Sequence, residues 1–262
     1  MRARLFGSVM AAAALVTLSA CGSEDSGGGS AEEGLSLVSE GTLTVCSDIP
    51  YPPFEMQQGG DYTGFDIDLM REIAQGMGLE LEVQDVGFEG LQSGASLAAG
   101  QCDIGASAMT ITEEREENLD FSESYYDSQQ SLLVPSGSDI TSIEDLAGKQ
   151  VGVQQGTTGQ KFAEENVPEG TKLIAYPSDA ELYAAIRAGN IDAILQDLPV
   201  NLNHTRDGDF EIVDTFKTDE AYGFAVAEEG SEALLEEVNA QLQKLKDNGT
   251  YQEIFDEYFK AE

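Results

Sequence analysis

One arginine stands in an acidic segment, residues 110–122, which reads TITEEREENLDFS. Arg115 has two glutamates on each side, and the whole chain has only 13 Lys and Arg against 49 Asp and Glu. Two interpretations are open. Arg115 forms ion pairs with its neighbours on a helix face, or its guanidinium receives an anionic group of a ligand through two parallel hydrogen bonds.

Other polar and aromatic side chains follow the predicted strands. Ligands of open α/β sheets bind beyond the carboxyl ends of the strands, so these positions are candidates for a binding site. They are Asp48 and Tyr51 after the first strand, Thr110 and Arg115 after the third, Gln154, Thr157 and Thr158 after the fourth, and Gln196 and Asp197 after the sixth.

Together these residue types fit a free α-amino acid. Arg115 would clamp the carboxylate, and the N–H groups of the helix that starts after Gly156 would hold the same anion. Asp197 would accept hydrogen bonds from the ammonium, while Tyr51 and Phe88 would wall the pocket. Each residue alone has a structural explanation, such as helix capping or core packing, and only the combination favours binding. No catalytic residue is expected.

Two similar units of alternating strands and helices would position these side chains. The first combines strands at residues 42–46, 79–83 and 103–109 with helices at 65–77 and 94–99. The second combines strands at 150–153, 171–175 and 191–195 with helices at 159–166 and 178–187. Two β-α-β-α-β units predict two parallel-sheet α/β lobes. The remaining helices, at 231–246 and 251–259, are expected to pack on one of these lobes.

The composition narrows the classes of partner. The formal net charge of −36 argues against nucleic acids and anionic membranes, which need a basic surface. It also indicates a high-salt habitat, because salt screens self-repulsion. His204 is the only histidine of the sequence and no Cys/His metal spacing occurs, so no metal or cofactor is expected.

The N-terminus predicts export. Residues 1–21 combine a basic start with a short apolar stretch and end in Leu-Ser-Ala-Cys, which resembles the lipobox of bacterial lipoproteins. Cys21 is the predicted lipidation site, with an ordinary secretory signal as the alternative. Residues 22–40 form a Gly/Ser/Glu-rich tether of roughly 24 Å. The membrane contact would then be a lipid anchor rather than a helix.

Motifs along the chain also resemble a known family. They are TLTVCSD at 42–48, YPPFE at 51–55, GFDID at 64–68, MTITEER at 109–115, GVQQGTTG at 152–159, DLPV at 197–200 and DNGTY at 247–251. In combination they are similar to family 3 solute-binding proteins of polar-amino-acid ABC transporters. The resemblance covers about residues 43–259.

The resemblance implies a periplasmic-binding-protein-like α/β fold, in which two lobes joined by two hinge strands close on the ligand. The crossings are expected near residues 130–133 and 221–224. Lobe 1 then comprises residues 41–130 plus 223–262, and lobe 2 comprises residues 131–222.

The resemblance also implies roles for individual residues. Arg115 holds the α-carboxylate, assisted by Thr110 and the backbone at Ala108. Thr158 contacts the same carboxylate from the other lobe, and Asp197 takes the α-ammonium. The remaining candidates line the pocket: Tyr51 and Phe88 as aromatic walls, Asp48 near the ligand's side-chain end, and Gln154 and Gln196 at positions that vary with the ligand.

Cys46 and Cys102 are predicted to be free thiols. Cys46 lies two residues before the strand end at Asp48, whereas Cys102 lies eight residues before Thr110. In parallel strands this offset corresponds to roughly 20 Å, and a disulfide needs Cα atoms within about 7 Å.

The leading functional hypothesis is a monomeric, lipid-anchored receptor outside the cell membrane that delivers a free amino acid to an ABC transporter permease. A pocket with Asp48, Glu55, Gln154 and Gln196 favours polar neutral or basic amino acids. Two alternatives stay open. One is an enzyme similar to cyclohexadienyl dehydratases, which act on arogenate or prephenate, with Asp48 or Glu55 as the proton donor. The other is a ligand sensor for a receptor kinase.

Overall fold

The computed structural model describes residues 35–260. The predicted signal peptide, Cys21 and the greater part of the tether lie outside these residues. The described chain is a mixed α/β protein with two five-stranded sheets, and this confirms the predicted fold class. No helix within residues 35–260 is long and apolar enough to span a bilayer.

The first sheet has a parallel centre and an antiparallel edge. Its order is β4-β1-β5-β12-β6. β1 pairs in parallel with β4 and β5, while β12 pairs antiparallel with β5 and β6. The strands are β1 (Thr42–Ser47), β4 (Glu80–Asp85), β5 (Ile104–Gly105), β6 (Leu119–Phe121) and β12 (Ala225–Ala227). A separate hairpin joins β2 (Met56–Gln58) and β3 (Asp61–Thr63).

The second sheet has the order β11-β7-β10-β8-β9. β8 pairs in parallel with both β9 and β10, and β7 runs antiparallel to β10 and β11. The strands are β7 (Tyr126–Pro135), β8 (Gln150–Gln154), β9 (Lys172–Tyr176), β10 (Ala193–Asp197) and β11 (Phe210–Tyr222).

Helices cover the sheets where apolar residues recur with helical spacing. They are α1 (Phe65–Met77), α2 (Phe88–Gln92), α3 (Ala95–Ala98), α4 (Thr158–Asn166), α5 (Asp179–Arg187), α6 (Leu198–His204), α7 (Glu232–Asn248) and α8 (Thr250–Phe259), with 3-10 turns at Arg115–Glu117 and Ile143–Leu146. Leu69 and Ile73 of α1 share one buried cluster with Val238 and Leu242 of α7. The C-terminal helices therefore pack on the first sheet, as expected.

Two long strands carry the chain between the sheets. β7 follows β6 of the first sheet, and β11 precedes β12 of that sheet. β7 and β11 pair with each other, with register shifts between Ile212 and Asp214 and between Phe216 and Glu220. β7 begins at Tyr126, before the expected crossing at residues 130–133. The limits proposed for the lobes stay predictions.

The prediction of free thiols is wrong, because Cys46 and Cys102 form a disulfide with Cα atoms 5.7 Å apart. The prediction counted back from Thr110 as though residues 103–109 were one extended strand. In the structure β5 is only Ile104–Gly105, and the left-handed backbone of Ala108, with φ of 44°, turns the chain after it. Cys46 therefore lies opposite Gly105, three residues from Cys102.

Candidate functional site

A cavity lies where β1, β5, β8 and β10 end, between the two sheets. About 280 Å³ of space in it is not filled by protein atoms, including the part open to solvent. Nine of the ten predicted binding residues line it. The lining residues are Asp48, Tyr51, Phe88, Ser107, Ala108, Thr110, Arg115, Gln154, Thr157, Thr158 and Asp197.

Arg115 is buried at one side of this cavity, with 5% of its surface exposed. Its Nη1 donates to the carbonyl of Thr110 at 2.7 Å, and its Nη2 donates to the carbonyl of Gly156 at 3.1 Å. The guanidinium carbon lies 5.2 Å from the centre of the Phe88 ring. The backbone and this ring fix the guanidinium, and its remaining N–H groups are available to a ligand.

The charge of Arg115 has no direct counter-ion in the part of the chain that the structure describes. Glu113, Glu114, Glu116 and Glu117 are exposed, so ion pairing with its own neighbours does not explain this arginine. Burial lowers the pKa of Arg115 to about 10, which leaves it protonated at neutral pH. A buried cation without a partner is costly and favours an anionic ligand group here.

The N-terminus of α4 approaches the same place from the second sheet. Thr157 caps the helix, since its hydroxyl accepts from the N–H of Gln160 at 3.1 Å. The hydroxyls of Thr158 and Thr110 lie 3.4 Å apart across the two sheets. Gly156 adopts a positive φ of 77°, and its carbonyl accepts from Arg115. The helix dipole adds to the positive potential at this end of the cavity.

Asp197 supplies the opposite charge at the end of β10. One of its oxygens accepts from the hydroxyls of Tyr51 at 2.9 Å and Tyr222 at 2.5 Å. The other accepts from the side-chain amide of Gln130 at 2.5 Å. Burial raises the pKa of this carboxyl, although all three hydrogen bonds favour its ionised form. A ligand cation would stabilise the carboxylate further.

A second acidic group faces the cavity from the first sheet. The side-chain amide of Gln154 donates to Asp48 at 2.6 Å and connects the two sheets. Ser107 accepts from the N–H of Asp48 and donates to Glu55, at 3.0 and 2.7 Å. Burial raises the pKa of Asp48 to about 7 and that of Glu55 well above its usual value. Glu55 is not among the lining residues.

Gln196 is the one predicted binding residue that the structure leaves outside the cavity lining. Neighbouring residues of a strand point to opposite faces, so Gln196 faces away from the site of Asp197. Its side-chain amide donates to Asp179 at 3.0 Å and to Asn201 at 3.2 Å. Asp179 also contacts His204 at 2.9 Å, which places Gln196 in a buried polar network behind β10.

Sequence reasoning missed the side chains that the crossing strands contribute. Gln130 of β7 and Tyr222 of β11 both hold Asp197, and Glu220 of β11 accepts from Gln130 at 2.9 Å. A detectable signal is the two-residue spacing of polar side chains, Ser128 with Gln130 and Glu220 with Tyr222, on strands expected to be buried. Ser107 was also missed as a lining residue.

The geometry suits recognition of a zwitterion. A fixed cation and a helix N-terminus lie at one end, and a carboxylate held by two phenols and an amide lies at the other. Hydrogen bonds between the sheets, such as those from Tyr51 to Asp197 and from Gln154 to Asp48, keep the cavity closed. No group of three or more potential metal ligands occurs among residues 35–260.

Comparison with known proteins agrees with this geometry. Residues 43–261 match the sequence model of one protein family, the bacterial extracellular solute-binding proteins, family 3. The ABC transporter glutamine-binding protein GlnH of Bacillus subtilis (strain 168) is 32% identical over 259 residues, which cover 95% of this chain and 94% of that protein.

Solved structures share the fold closely. An ancestral arginine-binding protein bound to arginine has a TM-score of 0.78 and 36% identity, over 84% of this chain and 98% of its own. The TM-score is also 0.78 for an ancestral arginine-binding protein bound to glutamine. The ancestral amino acid-binding protein AncCDT-1, a precursor of cyclohexadienyl dehydratase, has a TM-score of 0.77 and 37% identity, over 84% of this chain and 96% of its own.

Proposed function

The chain belongs to family 3 of the bacterial extracellular solute-binding proteins, and on this premise we propose that it binds one free polar amino acid and delivers it to an ABC transporter permease. The observation that carries the proposal is the buried cation of Arg115, which has no ion-pair partner among residues 35–260 and shares one cavity with the carboxylate of Asp197. Arg115 and the α4 N-terminus receive the α-carboxylate, and Asp197 receives the α-ammonium.

Binding couples to closure of the two lobes. Arg115 belongs to the first sheet's side and contacts Gly156 on the second, while Asp197 on the second contacts Tyr51 on the first. A ligand that touches both Arg115 and Asp197 would stabilise this closed arrangement, and β7 and β11 would act as the hinge strands. A permease or a receptor kinase would recognise the closed form. The permease is favoured by the transporter relatives.

The side chain of the ligand is polar and neutral or basic. Asp48 and Gln154 lie in the cavity as acceptors, and Arg115 is the only Lys or Arg among the lining residues. A ligand carboxylate beyond the α-position would meet Asp48 without a cation to balance it. The relatives named for glutamine and arginine agree with this class.

Isothermal titration calorimetry tests this proposal directly. The purified protein is titrated with L-arginine, L-glutamine and L-glutamate in high salt. We expect saturable binding of one stoichiometric equivalent for L-arginine or L-glutamine, and weaker or absent binding of L-glutamate. Tight binding of L-glutamate alone would contradict the ligand class. Absence of binding for all free L-amino acids would contradict the function.

The dehydratase alternative has one specific observation in its favour. Asp48 faces the cavity, and burial raises its pKa to about 7, so a part of the molecules carries a proton on this carboxyl near neutral pH that it could donate. The proposed function needs no catalysis, since recognition alone accounts for Arg115 and Asp197. Incubation with arogenate and with prephenate, followed by chromatography, separates the two functions. Product formation above the rate of an Asp48→Asn variant would establish the enzyme.

The proposal includes a lipid anchor on Cys21 outside the cell membrane. Its support is the Leu-Ser-Ala-Cys end of residues 1–21, together with the Cys46–Cys102 disulfide, a bond typical of exported proteins. Mass spectrometry of the mature protein should find an N-terminal lipidated cysteine at this position. In a Cys21→Ser variant the protein should leave the membrane fraction. An unmodified Cys21 in the membrane-bound protein would contradict the anchor.

A further inference from the structure

A second buried carboxyl lies behind the proposed ammonium site. Glu220 is 9% exposed and lies on β11, opposite Ser128, where a register shift interrupts the pairing with β7. The residue before it, Asp219, adopts a left-handed backbone with φ of 52°, which marks an irregular turn of the strand. Glu220 does not line the cavity, and nothing in the binding of an α-carboxylate requires it.

Glu220 and Asp197 are bridged by one side-chain amide. The Nε2 of Gln130 lies 2.5 Å from Oδ1 of Asp197 and 2.9 Å from Oε2 of Glu220. The same nitrogen lies 3.5 Å from the hydroxyl of Thr158 at the start of α4. One amide thus joins both carboxyls and reaches the residue that approaches the ligand from α4.

The surroundings do not balance two negative charges. Asp197 on β10 is the titratable group that faces Glu220, and Arg115 is the cation within its electrostatic reach. β7 and α4 contribute the uncharged Gln130 and Thr158. Hydrogen bonds from Thr158 and from Thr218 of β11 favour the ionised form of Glu220. On β11 itself, Lys217 is exposed and pairs with the exposed Asp219.

Two carboxylates that share one neutral donor repel each other, and a pair of this kind retains a proton. Burial is the largest cause that raises the pKa of Glu220, to about 7, and the charge of Asp197 is the second. The pKa of Asp197 is raised as well, chiefly by burial. The two groups titrate as a pair, so the proton belongs to the pair rather than to one residue.

An ammonium group changes this balance. Oδ2 of Asp197 already accepts hydrogen bonds from two phenols, and its Oδ1 accepts one from Gln130. A positive charge would therefore stabilise the pair of Asp197 and Glu220 more than a further neutral donor. The α-ammonium of a ligand brings one positive charge next to Asp197. Both carboxyls can then be ionised, and the proton leaves for the solvent buffer.

On the basis of the proposed function, we propose that Glu220 is a positioning residue of the ammonium site. Glu220 and Asp197 share one proton in the empty cavity, and this pair releases the proton when an amino acid binds. Glu220 acts through Gln130, which it orients toward Asp197 and Thr158. The amino acid keeps its own protons and the net exchange is one ligand in and up to one proton out.

The direction of the pH dependence follows from this release. Because binding expels a proton, low pH opposes binding, and the affinity falls as the pH falls through about 7. For a full proton with a pKa of about 7 in the free protein, the affinity should fall about tenfold between about pH 8 and pH 6. A neutral probe such as L-glutamine is suitable, since a basic side chain would also drive a proton from Asp48.

Calorimetry in two buffers with different ionisation enthalpies measures the released proton. We compare the wild-type protein with its Glu220→Gln, Glu220→Asp and Glu211→Gln variants. Each protein is titrated with L-glutamine at about pH 7 and at further pH values between about pH 6 and pH 8. Glu211 lies on the same strand and is exposed, so its variant is a matched control. We expect proton release and pH dependence in the wild type, Glu211→Gln and Glu220→Asp, and their loss in Glu220→Gln.

The outcomes separate this inference from the proposed function. If no free amino acid binds the wild type, the proposed function fails. If L-glutamine binds without proton release, or if Glu220→Gln keeps the wild-type release, the role of Glu220 is wrong while the function stands. Loss of the release in an Asp48→Asn variant that still binds L-glutamine would assign the proton to Asp48 instead. Should Glu220→Gln fail to fold, the wild-type titration still tests the inference, because binding of L-glutamine without proton release contradicts it.

Discussion

At the scale of the residue, a chain with a net charge of −36 retains a buried arginine, although burial disfavours its charge. Two backbone carbonyls and the face of Phe88 hold the guanidinium of Arg115, and these groups are neutral. The charge is therefore left for a ligand to neutralise. The buried charge is energetically unfavourable in the empty protein, and a bound carboxylate relieves this unfavourable free energy and so contributes to the affinity.

Replacing Arg115 by alanine should weaken amino acid binding severely. Removal of one partner of a buried charge pair costs about 2–5 kcal/mol, so the Kd should rise about 30-fold or more. Calorimetry with L-arginine or L-glutamine measures the change. An Arg71→Ala variant is the control, because Arg71 is exposed on α1. A Kd within twofold of the wild-type value would remove Arg115 from the site.

Asp48 should discriminate between ligands. We expect an Asp48→Asn variant to bind L-arginine at least tenfold more weakly, while its affinity for L-glutamine changes little, because only a cationic side chain gains from the carboxylate. Competition binding with the two amino acids measures the ratio. Equal losses for both ligands would show that Asp48 supports the fold of the site rather than its selectivity.

Residues that lie at the ends of strands could be predicted as site residues from the sequence alone. Arg115, Asp197 and Asp48 follow strands and are named by short motifs, and the structure brings all three to one cavity. Gln196 was predicted on the same basis but points the other way, since adjacent strand residues alternate in direction. Gln130 and Glu220 were missed, because their approach to Asp197 depends on how two distant strands pair.

At the scale of the element, β5 explains the error about the thiols. Residues 103–109 are a run of small and apolar residues, which predicts a strand, yet only Ile104–Gly105 pair with β1. The N–H of Ala108 donates to Asp66 at 2.8 Å, and the backbone turns there toward the cavity. The register between β1 and β5 depends on the tertiary structure, so it could not be derived by counting residues from the strand ends.

Reduction of the disulfide should destabilise the protein. Cys46 and Cys102 are 56 residues apart, and closing a loop of this length restricts the unfolded chain by about 4 kcal/mol. We expect the Tm to fall by roughly 10 °C in dithiothreitol. Differential scanning calorimetry measures this shift, and a double Cys46→Ser, Cys102→Ser variant serves as the control. A variant with the wild-type Tm under oxidising conditions would contradict the stabilising role.

At the scale of the whole molecule, polar contacts around the cavity join the two sheets, and apolar contacts of the crossing strands lie beside them. The apolar cluster around Leu43 and Val45 of the first sheet also contains Tyr222 of β11 and Val200 of α6, whereas the cluster around Val151 and Leu195 belongs to the second sheet. The hydrogen bonds of Tyr51, Gln154 and Arg115 lie between the sheets. Such an interface suits opening and closing. The high-salt habitat inferred from the charge stays a prediction.

The ligand-free protein should become less stable as the pH rises through about 7. Burial raises the pKa of Asp48, Asp66 and Glu220 to about 7 in the folded state, well above the value of an unfolded carboxyl. Their contribution to stability is complete below the unfolded pKa and is lost as the pH passes the folded pKa. We expect the Tm to fall by several degrees between about pH 5 and pH 8.

Calorimetry at constant high ionic strength measures this slope without changes in screening. An Asp66→Asn variant keeps an acceptor for the N–H of Ala108 and the hydroxyl of Tyr125, and its slope should be smaller. A Tm that rises over the same range would contradict the protonated state of these buried carboxyls.

The most direct test of the account separates the two charges of the ligand. Thermal melting of the protein is followed with each free L-amino acid, and the best ligand is compared with analogues that lack only the α-carboxylate or only the α-ammonium; for L-arginine these are agmatine and 5-guanidinopentanoate. At about 100 times its Kd the amino acid should add about 2.7 kcal/mol of stability, and both analogues should add little. Equal stabilisation by either analogue, or none by any amino acid, would contradict recognition through Arg115 and Asp197.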